Sequence, residues 1–540
     1  MSASANEHIA MRRAAVVLAL LAVIVGAGVG IRILVPISPG EPIGRCVAGA
    51  IDLDRPVPFS KLTLGPTTVA IAVSGGGSRA AYLAAAVLRE IRRGRVRLNL
   101  QDKGNPDQSL LDQIDLISGV SGGSLAASYF VARSDELRKA DADAPVWAEF
   151  LDKMAINYRE RQWFAQALAR PSSWPKLLFT DYTRGNLASD DYNETLFQGA
   201  TLGSLPDRPA LYINAFDVAN HVRFIFSKHY VDTTFFQPRG ALNKLSEPQE
   251  LTSANDLTFA GVDPNSVRIS DAVYASSAFP IAYPNMSLRH CGQKILYQGQ
   301  QIFLSDGALA DNSGLITLFT QLRAALAREA RQVAVVAIYI DASLDRVDTG
   351  GSSFQRRGIE KRYAWQNTVF GHANESINSA IALLQDVGWK AIESSGVVTD
   401  QLSLNWETAL TTRTGRCGGE PRASWNAPFE SGQLAVRPLV IRLGLRDIVN
   451  PDFLNVYGSG LQTDIARLQS LLEQSGVQNS LREKLLGIQT DFVLSDVGRK
   501  TLDLAAHMLV HGKLAGDLGQ WEQIVTSAAR SALPSTVCGR

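Results

Sequence analysis

This 540-residue chain has almost no surplus charge: 53 basic residues against 52 acidic ones leave a net +1. That balance excludes the electrostatic footprint of a nucleic-acid binder or of a protein recruited to a strongly anionic partner. Cysteine is scarce, with only Cys46, Cys291, Cys417 and Cys538, and no two of them stand in a Cys-x-x-Cys spacing. No metal knuckle or redox pair is therefore encoded by cysteine. The four are compatible with two disulfides in an oxidising compartment, in any pairing, and also with four separate thiols. There is no Gly-x-x-x-x-Gly-Lys-Ser/Thr phosphate loop, no internal repeat and no low-complexity tract. Histidine is sparse as well: His8, His221, His229, His290, His372, His507 and His511.

Charge is absent altogether from Ala14 to Ile31, a stretch flanked by Arg12-Arg13 on one side and Arg32 and Pro36 on the other. As a helix it would span roughly 27 Å, close to the hydrocarbon thickness of a bilayer. The spacing predicts a transmembrane signal anchor over residues 1–35; Gly26-Ala27-Gly28 offers a small-residue cleavage site as the alternative. The N-terminal arginines slightly outweigh Arg32, which orients the main domain outside the cytoplasm, in the periplasm or cell envelope. Residues 36–60, with several prolines and glycines, read as a linker.

Three short segments carry chemistry. Ile114-Asp115-Leu116-Ile117 reads as a strand end, Gly119-Val120-Ser121-Gly122-Gly123 as a tight turn, and Ser124 to Phe130 as a helix. A Gly-x-Ser-x-Gly turn in that setting lifts a serine hydroxyl clear of a sheet, so Ser121 is the candidate nucleophile. Upstream, the buried-strand pattern Thr68 to Val73 runs into Ser74-Gly75-Gly76-Gly77-Ser78-Arg79 and an alanine-rich helix through about Arg93. Gly75, Gly76 and Gly77 present amides at the positive end of a helix, a favourable place for an oxyanion, and Arg79 adds a charge nearby. Downstream, Ile302-Phe303-Leu304 leads into Ser305-Asp306-Gly307-Ala308, where a buried Asp306 can supply a base without histidine. Asp311 and Asn312 read as closing the following loop.

Taken in order, the glycine triplet with Arg79, the Gly-x-Ser-x-Gly turn and Asp306-Gly307-Ala308 resemble the patatin-like phospholipase family over roughly Thr67 to Leu315. Asn214-Ala215-Phe216-Asp217 and Ala275-Ser276-Ser277-Ala278-Phe279-Pro280 are similar to family segments as well. Ala80 stands where the family's first motif ends in glycine, and Ser74 where many members carry aspartate. The resemblance implies a three-layer α/β/α fold with a central, mostly parallel sheet. It also implies hydrolysis of phospholipid or related acyl-lipid esters by a Ser121–Asp306 dyad, with no metal, cofactor or nucleotide. Residues 61–450 then form the catalytic domain and 451–540 a helical C-terminal region.

Alternative readings are a Ser-Asp-His α/β-hydrolase, for which His372, His507 and His511 stand in the right chain order, and a dinucleotide-binding turn at Gly75 to Ala80. A catalytically silent membrane-anchored scaffold is a further one. Val333 to Ile340 and Arg437 to Leu443 predict later strands, the latter at an edge or with Pro438 at its start. Trp365 to Asp386 predicts a helix, and Leu461, Ile465, Leu468, Leu471 and Leu472 form one helical stripe. Trp147, Trp163, Phe164, Trp174 and Leu177 to Phe179 are aromatic and apolar residues suited to the core or to a lipid interface.

Overall fold

A computed structural model of the chain describes residues 59–64, 67–94, 109–158, 183–232, 254–257, 262–280, most of 283–328, 334–343, 439–449, 453–457, single positions at 461, 485 and 488, and 494–521. The apolar run Ala14–Ile31, all four cysteines, His372, the predicted helix at 365–386, Trp163 to Phe179 and most of the 461–472 stripe lie outside these residues. Among the described residues no helix is long and apolar enough to cross a membrane.

Among the described residues the main sheet has nine strands, β1 (Thr67–Val73), β2 (Ile114–Val120), β3 (Ala210–Asp217), β4 (Val222–Phe226), β5 (Ala254–Asp256), β6 (Met286–Ser287), β7 (Phe303–Asp306), β8 (Ala334–Asp341) and β9 (Leu439–Gly444). Principal helices are α1 (Gly77–Arg93), α2 (Gly122–Ala132), α3 (Pro145–Met154), α4 (Arg184–Tyr192), α5 (Ile269–Ser277), α6 (Leu315–Arg328) and α7 (Asp496–His507). The strand pairs β9–β8, β8–β1, β1–β2 and β2–β3 are all parallel. Antiparallel pairing enters only beyond β2, where β3 meets β4 and β7, and β7 meets β6.

Parallel strands covered on both faces need apolar side chains on both sides, and β1 shows it. Val69, Ile71 and Val73 join a cluster with α1, α2, α3, α5 and α7, whereas Ala70 and Ala72 face Leu315, Leu318, Phe319 and Leu322 of α6. The result is the expected three layers. The alanine-rich sequence of α1 follows from its position: residues 80–88 are all buried, so small side chains are what let the sheet, α2 and α7 approach it at once. Leu502, Leu504 and Ala505 of α7 belong to the same apolar cluster as the sheet, so the helical C-terminal segment shares its core. Trp147 is fully buried, its ring near Phe150, which in turn stacks on Tyr129; its place is the core, with no face left for lipid.

The pairing of β3 sets the geometry of everything that follows. Ile213 and Asn214 pair with both β2 and β4, and Ala215, Phe216 and Asp217 pair with both β4 and β7. A strand has two edges, so β2 and β7 must share one edge of β3, arranged end to end. Val120 lies opposite Asn214 and Asp306 opposite Ala215. Two strands running toward each other thus stop at adjacent rungs, and Ser121 leaves the sheet where Asp306 ends it.

Candidate active site

Ser121 occupies the turn between β2 and α2 with φ 51 and ψ −125, a backbone conformation rarely adopted by a side-chain-bearing residue. Such a conformation costs on the order of 1–3 kcal/mol and persists only when the surroundings over-determine it. The surroundings are visible. Gly122, directly after the serine, lies against the backbone of Gly77, and a Cβ there would meet the Gly77 carbonyl oxygen, its carbon at 2.6 Å and its Cα at 2.9 Å. Only glycine permits this contact between the two turns. Gly76, at φ 141, makes the second turn possible from its own side. Two helix N-termini, those of α1 and α2, converge as a result, and their partial positive charges add at one point.

The Ser121 hydroxyl donates to Asp306 Oδ2 at 2.8 Å. Asp306 Oδ1 accepts from the Ala308 amide at 2.9 Å, which fixes the carboxylate plane. Burial pushes the Asp306 carboxyl up to about 6, against the smaller opposing pull of those two hydrogen bonds. A buried carboxylate without a cation at contact distance is a stronger base than one in water, and that is what a serine lacking a histidine partner requires.

One segment holds both reacting groups. Ser276 Oγ accepts from the Ser121 amide at 2.9 Å and donates to the Asn214 carbonyl at 2.6 Å. The amides of Asp306 and Gly307 donate to the carbonyls of Ala278 and Ser276. The end of α5 therefore anchors nucleophile and base beside adjacent rungs of β3. Asn214 adds bonds from its side-chain amide to Ser118 Oγ and the Gly119 carbonyl, both at 2.9 Å. The sequence marked Ser276 only as part of a family-like segment and gave it no role of its own. Its replacement by alanine leaves the strained Ser121 amide without its acceptor. Ser276→Ala is expected to lower kcat on an acyl ester roughly tenfold with little change in KM, and to destabilise the fold by about 1 kcal/mol, read by steady-state kinetics and denaturant unfolding.

The remaining predicted residues divide. Gly76 and Gly77 begin α1, where the first amides of a helix have no intrahelical acceptor. Gly75 is used differently, since its amide donates to the Asn312 carbonyl at 2.9 Å and ties the glycine turn to the loop after Asp306. Arg79 is buried and donates to the Ile488 carbonyl at 3.0 Å. Ser74 Oγ donates to the Gly75 carbonyl and accepts from the Ala342 amide at 3.0 Å, bracing the ends of β1 and β8. Asp311 caps the start of α6, accepting from the amides of Ser313, Gly314 and Ile316.

Of the histidines weighed as triad bases, the two among the described residues, His507 and His511, sit elsewhere. His507 and His511 face Glu90 near the far end of α1, at 3.1 and 3.2 Å. His229 is buried against the Asp207 carbonyl, and its imidazole is pushed down to about 4 by desolvation and then by Lys228.

Residues 71–319 match the family model described as patatin-like phospholipase. Among solved structures, the human GIVD cytosolic phospholipase A2 is similar at 12% identity with a TM-score of 0.38, covering 92% of this chain and 69% of that one. VipD from Legionella pneumophila is similar at 9% identity with a TM-score of 0.23, covering 89% and 96% respectively. No curated protein matches the chain.

Proposed function

We propose that the patatin-like phospholipase domain at residues 71–319 hydrolyses fatty-acyl ester bonds of phospholipids or related lipids, with Ser121 as nucleophile and Asp306 as base. The observation that carries this reading is the direct 2.8 Å hydrogen bond from the Ser121 hydroxyl to a buried carboxylate, at a serine held in a strained turn. Ser121 Oγ attacks the acyl carbonyl carbon while Asp306 Oδ2 accepts its proton. The oxygen that becomes negative is met by the amides of Gly76 and Gly77, pre-oriented by the glycine turn; each such donor contributes about 3–4 kcal/mol to the transition state. Collapse of the tetrahedral species expels the alcohol, which takes the proton back from Asp306. Water, deprotonated by the same carboxylate, then releases the fatty acid from Ser121.

The base works only when ionised, so kcat/KM should fall about tenfold per pH unit below about pH 6 and level off above it. The deciding experiment compares the purified chain on vesicles of defined phospholipid, on dispersed triacylglycerol and on a soluble short-chain ester across that pH range. Phospholipid or acylglycerol cleavage with this limb supports the reading. No turnover of any of the three, or activity undiminished at pH 4, refutes it.

We further read Ala14–Ile31 as an anchor that keeps the catalytic domain at a membrane, outside the cytoplasm, where a tethered enzyme meets a bilayer substrate at high local concentration. In the same assay a chain beginning at residue 36 should lose sedimentation with membranes but keep its turnover of the soluble ester; continued sedimentation would remove the anchor.

A further inference from the structure

Beyond the residues matched by the family model, α7 and the turn that continues it, Met508–Leu514, lie along α1. Polar contacts accompany the apolar ones: Tyr82 Oη donates to Asp503 at 3.1 Å and Arg89 to the same carboxylate at 2.9 Å. Near the last turn of α1 stands Glu90, whose carboxylate is almost fully buried. Its two oxygens face different partners. Oε1 accepts from Arg93 and, at 3.3 Å, from Arg89. Oε2 faces His507 Nδ1 at 3.1 Å and His511 Nε2 at 3.2 Å.

We propose that Glu90, His507 and His511 form a binding site for one divalent transition-metal ion of the zinc class, which clamps the C-terminal helix onto α1. Among the described residues they are the one group of three such side chains whose ligand atoms all lie within 4.8 Å of one another. The spacing suits the ion. A tetrahedral centre with bonds of about 2.0–2.1 Å to nitrogen and oxygen has ligand–ligand edges of about 3.3 Å, and the two nitrogen–oxygen separations are 3.1 and 3.2 Å.

Each part of the cluster is set up for a ligand role. His507 and His511 are four residues apart on consecutive helical turns, so both rings emerge on one face, with centroids 4.3 Å apart. Gly94 lets the second ring settle against the end of α1, since a Cβ there would come within 2.7 Å of His511 Cε1. The arginines on Oε1 orient the carboxylate so that Oε2 is turned toward the rings, the part an outer shell plays at metal centres. Both arginines bring a second carboxylate: Arg89 has Asp503 at 2.9 Å and Arg93 has Asp143 at 2.6 Å. A dication therefore does not confront two uncompensated guanidiniums. The His507 and His511 side chains are 21% and 23% exposed, which admits the ion and leaves room for water as fourth ligand. On binding, a nitrogen that had donated its proton to Oε2 releases that proton to the other ring nitrogen or to solvent.

The cluster lies roughly 20 Å along α1 from the glycine turn by helical rise, so it acts on the docking of α7 and not on the hydrolytic step. Its test needs no lipid substrate. The full chain, stripped with a chelator, is titrated with Zn2+ alone and with Co2+ as a spectroscopic probe. One equivalent should bind, Co2+ should develop the visible bands of a four-coordinate site, and Tm should rise with Zn2+ concentration. His507→Ala, His511→Ala and Glu90→Gln should each weaken Zn2+ at least about tenfold and move the Tm response to correspondingly higher Zn2+. Absence of uptake by the wild type overturns the proposal, as does a six-coordinate Co2+ spectrum or unchanged affinity in the His507→Ala/His511→Ala double variant. The wild-type spectrum decides even where a variant fails to fold. Ser121→Ala should bind the metal like the wild type, which separates this test from that of the hydrolase reading.

Discussion

Asp306→Asn is expected to reduce hydrolysis of a p-nitrophenyl acyl ester by roughly 10^4-fold or more, with Ser121→Ala equally severe and the double variant little worse than either. Groups that act as one unit do not lose activity additively: once the proton acceptor is gone, an unactivated hydroxyl contributes little, and the converse holds. The same substitution has an opposite effect on stability. Folding lifts the Asp306 carboxyl from 3.8 to about 6, so the folded state favours the protonated form. Stability associated with this group is full below about pH 3.8 and declines as pH rises through about 6. At pH 8 the ionised, buried carboxylate costs up to about 3 kcal/mol. Asparagine carries no charge to bury. The inactive variant should therefore unfold at higher denaturant than wild type at pH 8, with that advantage gone by pH 4. A variant that is destabilised at pH 8, or that retains most of its turnover, contradicts the assignment.

Gly122→Ala carries the second large effect. One methyl group at this position runs into the Gly77 carbonyl carbon at 2.6 Å and Cα at 2.9 Å, and these are backbone atoms with no rotamer to yield. Relief requires the turn after β2 to separate from the turn after β1, which pulls Ser121 away from the amides of Gly76 and Gly77. Loss of about 3 kcal/mol or more of stability is expected, within the range of severe steric substitutions. A fall in kcat of at least about 10^2-fold should accompany it, from one displaced oxyanion donor. Thermal unfolding and single-turnover kinetics measure the two separately. Ser121→Gly should do the reverse to stability, gaining about 1 kcal/mol by relieving the positive φ at the expense of all activity.

Much of this architecture was readable from local signals. The β1–α1 and β2–α2 units and the strand before Asp306 announce themselves through apolar runs that stop at glycine, and all three appear within a few residues of their expected limits. What was not readable depends on partners distant in the chain. Gly75 looks like its two neighbours, and only the placement of Asn312 diverts its amide to a structural bond. Arg79 carries charge in any sequence reading, but its partner is a carbonyl 409 residues away. Ser276 is one of several small residues, and its clamping role exists only because β3 brings Asn214 beside it. His507 and His511 show helical spacing in sequence, while Glu90, which gives that spacing a purpose, lies 417 and 421 residues from them.

Hydroxyl and carboxylate are 185 residues apart, yet both answer to successive rungs of β3. Their alignment is thus inherited from one hydrogen-bond ladder and from the end of α5 that clamps both groups to it. On the hydrolase reading proposed above, segments inserted, shortened or exchanged between them outside β3 and α5 should alter which ester is admitted while the reacting atoms stay in register. Selectivity in such a scaffold can evolve, or be engineered, as an interchangeable module.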